Sequence, residues 1–310
     1  MKKRMIAVLL LALMLTGCRA EVTEVRERAY VQSAVFSGKD ETALTLYPFE
    51  EAGDVLESKG ANTAAAVEEA SVKSGREVFL GHIELLCFDE PAFTEELESC
   101  LMEYRLSPGC KMIFLHETEL PEDCDATKLT DSLKMEEEKG RIPETDLYHI
   151  LSEYNGSDGS ALVPALTEKG FALCVIDGGE LSGVLSDKAA AGLVWLRGKN
   201  YPERIAVTGE EGTEDYEVYS ADTKLSAEIV KGIPHVRAEI SIKGNGNGEA
   251  AAGLIKVCCQ AAIEETLKEM KADVIGFDAC LAQDCPEYYA QQDFETAKWA
   301  AEFECVVEMK

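Results

Sequence analysis

The first 17 residues read as a leader that the folded body does not include, and this decides where the rest of the chain must fold. Lys2, Lys3 and Arg4 form a basic head, and an unbroken apolar run follows from Met5 to Leu15. That run has the length of a signal-peptide core and is too short to span a bilayer, which takes ~20 apolar residues. No later run reaches that length, so the body is expected to fold in water after export.

The run ends in Leu15-Thr-Gly-Cys18. This resembles the bacterial lipobox, in which small residues fit a dedicated peptidase and the cysteine thiol takes a diacylglyceryl group. Cys18 is therefore expected to be the first mature residue and the lipidation site, carrying palmitate-like chains. At ~0.8 kcal/mol per buried methylene, two acyl chains anchor stably where one does not. The expected place is the outer face of the cell membrane.

Charge narrows the partners. Removing the three leader cations from 30 leaves 27 against 58 acidic residues, a mature net charge of about −31. Such a body is repelled by nucleic acid and by an anionic membrane surface. The lipid, not the protein surface, must hold it at the membrane. Most of the acids are expected simply to solvate the surface.

Ten further cysteines remain: Cys87, Cys100, Cys110, Cys124, Cys174, Cys258, Cys259, Cys280, Cys285 and Cys305. Export permits disulfides. Several lie inside apolar runs, such as Glu84-Leu-Leu-Cys-Phe88 and Phe171-Ala-Leu-Cys-Val-Ile176, where they read as small core hydrophobes. No C-x-x-C pair occurs, so buried free thiols are expected rather than a disulfide framework.

Apolar runs alternate with amphipathic stretches, which predicts an α/β (mixed α+β) fold of several small lobes, each a mixed sheet with packed helices. The division expected is a leader at 1–17, an N-terminal lobe at 18–120, a middle lobe at 121–200 and a C-terminal domain at 201–310. Helices are predicted at Asn62–Ser74, stopped by Gly75, and at Ala92–Tyr104. Two more follow, one from Asp125 to a stop at Gly140 and one over Glu144–Tyr154. Strands are predicted at Val78–Phe88 and Lys111–Leu115. Phe171–Ile176 and Leu181–Leu185 form a hairpin about Gly178-Gly179. Ser186 or Asp187 caps a helix ending near Leu196. In the last third, Val218–Leu225 is extended, and Val236–Lys243 alternates as a half-exposed strand. Ala251–Lys271 stacks Ile255, Cys259, Ile263 and Leu267 at i+4 spacing as the longest helix, and Phe303–Met309 is a closing strand.

Gly244-Asn-Gly-Asn-Gly248 sits between a strand and a helix, but Glu249 stands where a nucleotide loop needs its third glycine, and the strand before it alternates instead of being apolar throughout. It reads as a connector. His82, His116, His149 and His235 show no metal-ligand spacing. No G-x-S-x-G elbow, P-loop or calcium loop occurs. No catalytic, cofactor or metal residue is assigned, and the protein is not expected to be an enzyme.

A set of ordered segments remains. They are Glu24-Val-Arg-Glu-Arg-Ala-Tyr-Val31, Ser74-Gly-Arg-Glu-Val-Phe-Leu-Gly-His82, Leu181-Ser-Gly-Val-Leu185, Gly192-Leu-Val-Trp-Leu196, Lys271-Ala-Asp-Val-Ile-Gly-Phe277, Pro286-Glu-Tyr-Tyr289, Trp299 with Phe303, and Cys305-Val-Val-Glu-Met309. Their order behind a lipobox resembles the Ger(x)C family of spore-germination lipoproteins, the C subunits of nutrient germinant receptors. Arg19-Ala20 and Asp278 depart from the family pattern. The resemblance implies several α/β lobes and a binding and assembly role beside two membrane-spanning subunits, A and B. It places the protein on the outer face of the spore inner membrane. Two other classes compete: a substrate-binding lipoprotein of an importer, which would want two similar lobes around a cleft, and a lipid-anchored secreted hydrolase, which would want a catalytic constellation.

Overall fold

The computed structural model describes residues 27–38, 41–49, 55–89, 106–118, 120, 126–156, 159–199, 201–209, 212–291 and 301–310. Cys18, the helix expected at Ala92–Tyr104, and Trp299 lie outside the described residues. Two mixed sheets with packed helices carry the fold, as the alternation of element types implies.

The larger sheet has nine described strands. They are β1 (Arg28–Ser37), β2 (Thr42–Pro48), β3 (Leu56–Gly60), β4 (Glu77–Phe79), β5 (Leu85–Phe88), β6 (Lys111–Leu115), β7 (Ser160–Thr167), β8 (Gly170–Asp177) and β9 (Glu180–Val184). The order is β3-β2-β1-β5-β6-β7-β8-β9, with β4 also pairing β1. The centre is parallel, from β1 through β5 and β6 to β7, and both flanks are antiparallel. β5 and β6 are buried at every position, which is why Leu-Leu-Cys-Phe and Lys-Met-Ile-Phe-Leu do not alternate. Helices α1 (Thr63–Ser74), α2 (Ala126–Glu138), α3 (Leu147–Tyr154) and α4 (Asp187–Arg197) accompany this sheet. β6 and β7 come from either side of residue 120 and pair in register from Phe114↔Ala165, so one sheet holds both stretches of chain.

The smaller sheet runs β10 (Arg204–Gly209), β11 (Gly212–Val230), β12 (Ile233–Asn245) and β13 (Glu302–Met309). The β11–β12 hairpin turns on two residues, Lys231 (φ 53°) and Gly232 (φ 83°). Positive φ at both positions is the mirror-type turn whose twist matches the strands it joins. β12 then pairs in parallel with β13. Its crossover includes α5 (Gly248–Ile263), a π-helical turn over Glu264–Glu269, α6 (Phe277–Asp284) and α7 (Pro286–Tyr289). The i+4 stack of Ile255, Cys259, Ile263 and Leu267 drifts ~40° per step around an α-helix. The wider turn from 264 unwinds that drift and keeps Leu267 2 % exposed.

α4 joins the two sheets. Leu193, Val194, Trp195 and Leu196 are buried on it, and one continuous core runs from Leu85, Ile113 and Val175 through α4 to Ile240, Ile242 and α5. The close approach is at Gly192, where a Cβ would lie 2.0 Å from the Cys258 carbonyl oxygen. A second core lies on the other face of the larger sheet, around Phe36, Phe88, Phe114, α1 and α3.

Several sequence expectations hold. Asn62 caps α1 by accepting from the Ala65 N–H, and Gly75 closes it in the left-handed region. Ser186 caps α4, and Gly198 ends it the same way. Lys111–Leu115, the hairpin about Gly178-Gly179, and the alternation of β12 also stand. Three differ. The strand expected over Val78–Phe88 is two, β4 and β5, both parallel to β1 and separated by a turn in which Ile83 N–H donates to Leu80 O. The helix expected from Glu144 begins at Leu147, because the Asp146 side chain accepts from the His149 N–H and sets the start there. The helix expected over Ala251–Lys271 runs as α5 only to Ile263 and as a π-helical turn to Glu269, and the segment 271–276 leads into α6. Strands β1, β2, β3, β7 and β10 and helices α6 and α7 have no counterpart among the sequence expectations.

Candidate functional site

The polar groups converge where α3, α4 and the segment leading into α6 meet. Glu153 comes from the last turn of α3 and Arg197 from the last residue of α4. They form a two-pronged ion pair, with Arg197 Nη1 donating to Glu153 Oε2 at 3.2 Å and Nη2 donating to Oε1. The Leu162 N–H also donates to Glu153 Oε2, which ties β7 to the pair. Burial pushes the Arg197 guanidinium down to about 10, so it keeps its charge at neutral pH.

Asp273 organises the next segment. Its carboxylate accepts from the backbone N–H groups of Ile275, Gly276, Phe277 and Asp278, at 2.6–3.2 Å. It thus satisfies the orphan donors at the start of α6. Gly276 sits at φ 90°, where a side chain would be strained. Ala272 and Phe277 are buried completely. This accounts for the Ala-Asp-Val-Ile-Gly-Phe run: a small anchor, a capping carboxylate, a left-handed turn and a core aromatic. Asp278, one residue on, is only 3 % exposed, and neither carboxylate oxygen has a hydrogen-bond partner among the described residues. These groups line a cavity of about 350 Å³, with Ser152, Ser160 and the exposed Lys199 also on its wall.

A second polar centre is closed. Lys111 Nζ on β6 reaches the Glu137 oxygens of α2 at 2.8 and 2.6 Å, and Thr145 donates its N–H and hydroxyl to the same carboxylate. Both charged side chains are buried and satisfied, so this network ties α2 to the sheet and leaves no group free for a substrate.

The histidines are dispersed. His82 lies beside Tyr30 and Phe79, His116 beside Phe114, His149 between Glu144 and Asp146, and His235 against Glu302. Among the described residues no group of three or more His, Cys, Asp or Glu could hold a metal ion. The glycine-rich connector ends in a cap, with the Asn247 side chain accepting from the Ala250 N–H. A Cβ at Gly244 would meet the Glu217 carbonyl at 2.1 Å, so glycine is there for packing. Cys110, Cys174, Cys258, Cys259 and Cys280 are buried thiols outside any disulfide, Cys87 is buried as well, and burial pushes the Cys280 thiol up to about 11.

Two of the ordered segments meet in space. Arg28 and Tyr30 of β1 pair with Glu77 and Phe79 of β4. The Tyr30 and Phe79 rings lie 5.5 Å apart, and the Arg28 guanidinium stands over Phe79 at 4.9 Å. Residues 22–168 match the family described as spore germination protein N-terminal domain, and residues 172–252 match spore germination B3/GerAC like, C-terminal. The chain belongs to the Ger(x)C family of germinant receptor C subunits. Its fold is similar to that in a solved structure titled "Crystal Structure of the GerBC protein", with a TM-score of 0.61 at 15% identity, covering 89% of this chain and 96% of that one. A search of curated proteins returned no match. Within the family frame, the segments that carried the resemblance serve as joints: Tyr30 with Phe79, Gly192 at the α4–α5 crossing, and Asp273 at the start of α6. The sequence marks Asp278 only as a departure from the family pattern and does not assign it to a site.

Proposed function

We propose that this chain is a lipid-anchored, non-catalytic subunit of a nutrient germinant receptor, held by Cys18 at the outer face of the membrane beside membrane-spanning A and B subunits. The observation that carries the reading is the pair of family matches, which together take in most of the chain from residue 22 to residue 252. The composition agrees, because a mature body with 31 more acids than cations needs a lipid to stay at an anionic membrane.

Spores lacking the gene test this. They should fail to respond to particular nutrients yet germinate with agents that bypass nutrient receptors. Cys18→Ala should reproduce that loss and move the protein from the membrane to the soluble fraction. Null spores that answer every nutrient normally would refute the receptor role. Full membrane retention of the Cys18→Ala chain would refute the anchor.

A further inference from the structure

We propose that Cys259 of α5 and Cys305 of β13 close to a disulfide bond, a covalent staple between the long helix and the last strand. The proposal rests on how these two elements pack and goes beyond the receptor reading. Phe303, Cys305, Val307 and Met309 share one face of β13, and all of them pack on the core that contains Cys259. α5 runs back along that face. At its start, a Cβ on Gly248 would lie 3.4 Å from Met309 Cγ. At its end, Ile263 and Phe303 line the same small apolar void. Cys259 and Cys305 fall between these two contacts, and there the Cys259 thiol donates to the Cys305 sulfur.

The two thiols are not equivalent. Cys305 is half-buried, on the strand that ends the order of the smaller sheet among the described residues. Cys259 is completely buried, with its sulfur 3.8 Å from the Gly192 carbonyl oxygen at the α4–α5 crossing. The proton that Cys259 donates holds the Cys305 thiol below its ordinary value, against the pull of partial burial, and the Lys256 ammonium adds to this. The same hydrogen bond and burial push the Cys259 thiol up. Burial also pushes up Cys110, Cys174, Cys258, Cys280 and Cys285, which sets Cys305 apart from them. An accessible thiol of lowered pKa beside a buried one is the arrangement of an attacking and a resolving cysteine. The oxidant is a low-molecular-weight disulfide. The Cys305 thiolate attacks one of its sulfurs, breaks its S–S bond and expels one thiolate. Cys259 then gives up its proton to that thiolate and attacks the Cys305 sulfur, expelling the second, which takes a proton from water. Two protein thiols are oxidised and one external disulfide is reduced to two thiols. The exported location proposed above is the compartment in which such bonds persist. The closed loop holds the π-helical turn, α6 and α7, so the staple would fix this crossover at both ends.

The test is peptide mapping of the full chain in detergent, incubated with bis(2-hydroxyethyl) disulfide and then alkylated with N-ethylmaleimide. After tryptic digestion, peptides 257–268 and 299–310 should appear joined, lighter than their sum by a pair of hydrogens. Cys305→Ala should abolish the joined species, and Cys258→Ala should leave it. The oxidised parent should melt about 5 °C or more above its reduced form, a difference that Cys305→Ala should lack. Three results would each overturn the proposal: both peptides recovered unjoined, Cys305 arrested as the mixed disulfide with 2-mercaptoethanol, or a joined species that persists in Cys259→Ala. Should Cys259→Ala fail to fold, the fragment masses of the joined parent peptides decide on their own, with linkage through Cys258 counting against the site.

Discussion

The two sheets are built on opposite plans. The centre of the larger sheet is covered on both faces, and β5 and β6 have no exposed residue. The smaller sheet is covered on one face only: Val236, Ala238, Ile240 and Ile242 turn inward from β12, while Arg237 and Glu239 face solvent. Tyr219 on β11 is 68 % exposed. One sheet is buried at its centre on both faces and the other presents a polar, largely acidic face. The difference teaches that rigidity and surface are assigned to different halves of the fold. α4 and α5 join them through a contact tight enough to require glycine at 192.

The largest expected effect falls on the scaffold's buried ion pair. Lys111→Met leaves the Glu137 carboxylate buried without its cation and should cost about 3–5 kcal/mol. The double change Lys111→Met with Glu137→Leu should recover much of that loss in chemical denaturation. If the single change were silent, the buried-centre half of the comparison would be broken.

Packing gives the next contrast. Phe114→Ala empties a fully buried site on β6 and should cost about 3–5 kcal/mol. Tyr219→Ala on the open sheet should stay within about 0.5 kcal/mol. Comparable losses at the two positions would mean that the face around Tyr219 is covered in solution, which would sharpen the account toward a partner there.

A third, smaller contrast lies within the joint. Gly192→Ala forces a methyl against the backbone of Cys258 and should cost about 1–3 kcal/mol. Gly253→Ala, on the exposed side of α5 with open space around it, should instead stabilise by about 0.5–1 kcal/mol. Thermal melts of the two variants should move in opposite directions. Equal shifts would show that helix propensity, and not the α4–α5 contact, sets the response.

The same contrast explains what was legible in the sequence. Elements with local signals were readable: Asn62 and Gly75 bracket α1, Ser186 and Gly198 bracket α4, and the alternation of Val236 to Lys243 announces β12. Elements defined by distant partners were not. β7 carries Pro164, which reads as a break, yet β6 pairs with it only from Ala165 onward, so that ladder asks no donor of the proline. β1 changes phase at Ser33-Ala34, beside the irregular pairing between Val31 and Ser33, and its alternation is blurred accordingly. The cavity was invisible for a related reason. Glu153, Arg197 and Asp278 are far apart in sequence, and only the docking of α3, α4 and α6 brings them together.

The central claim is that this chain works as one subunit of a membrane receptor. The most direct test is affinity purification of the full-length, tagged protein from spore inner membranes, followed by mass spectrometry of what accompanies it. Membrane-spanning receptor subunits of the A and B types should copurify with the parent chain and be lost with Cys18→Ala. Recovery of the chain from intact membranes with no membrane-spanning receptor subunit, or with the components of an importer in their place, would contradict it.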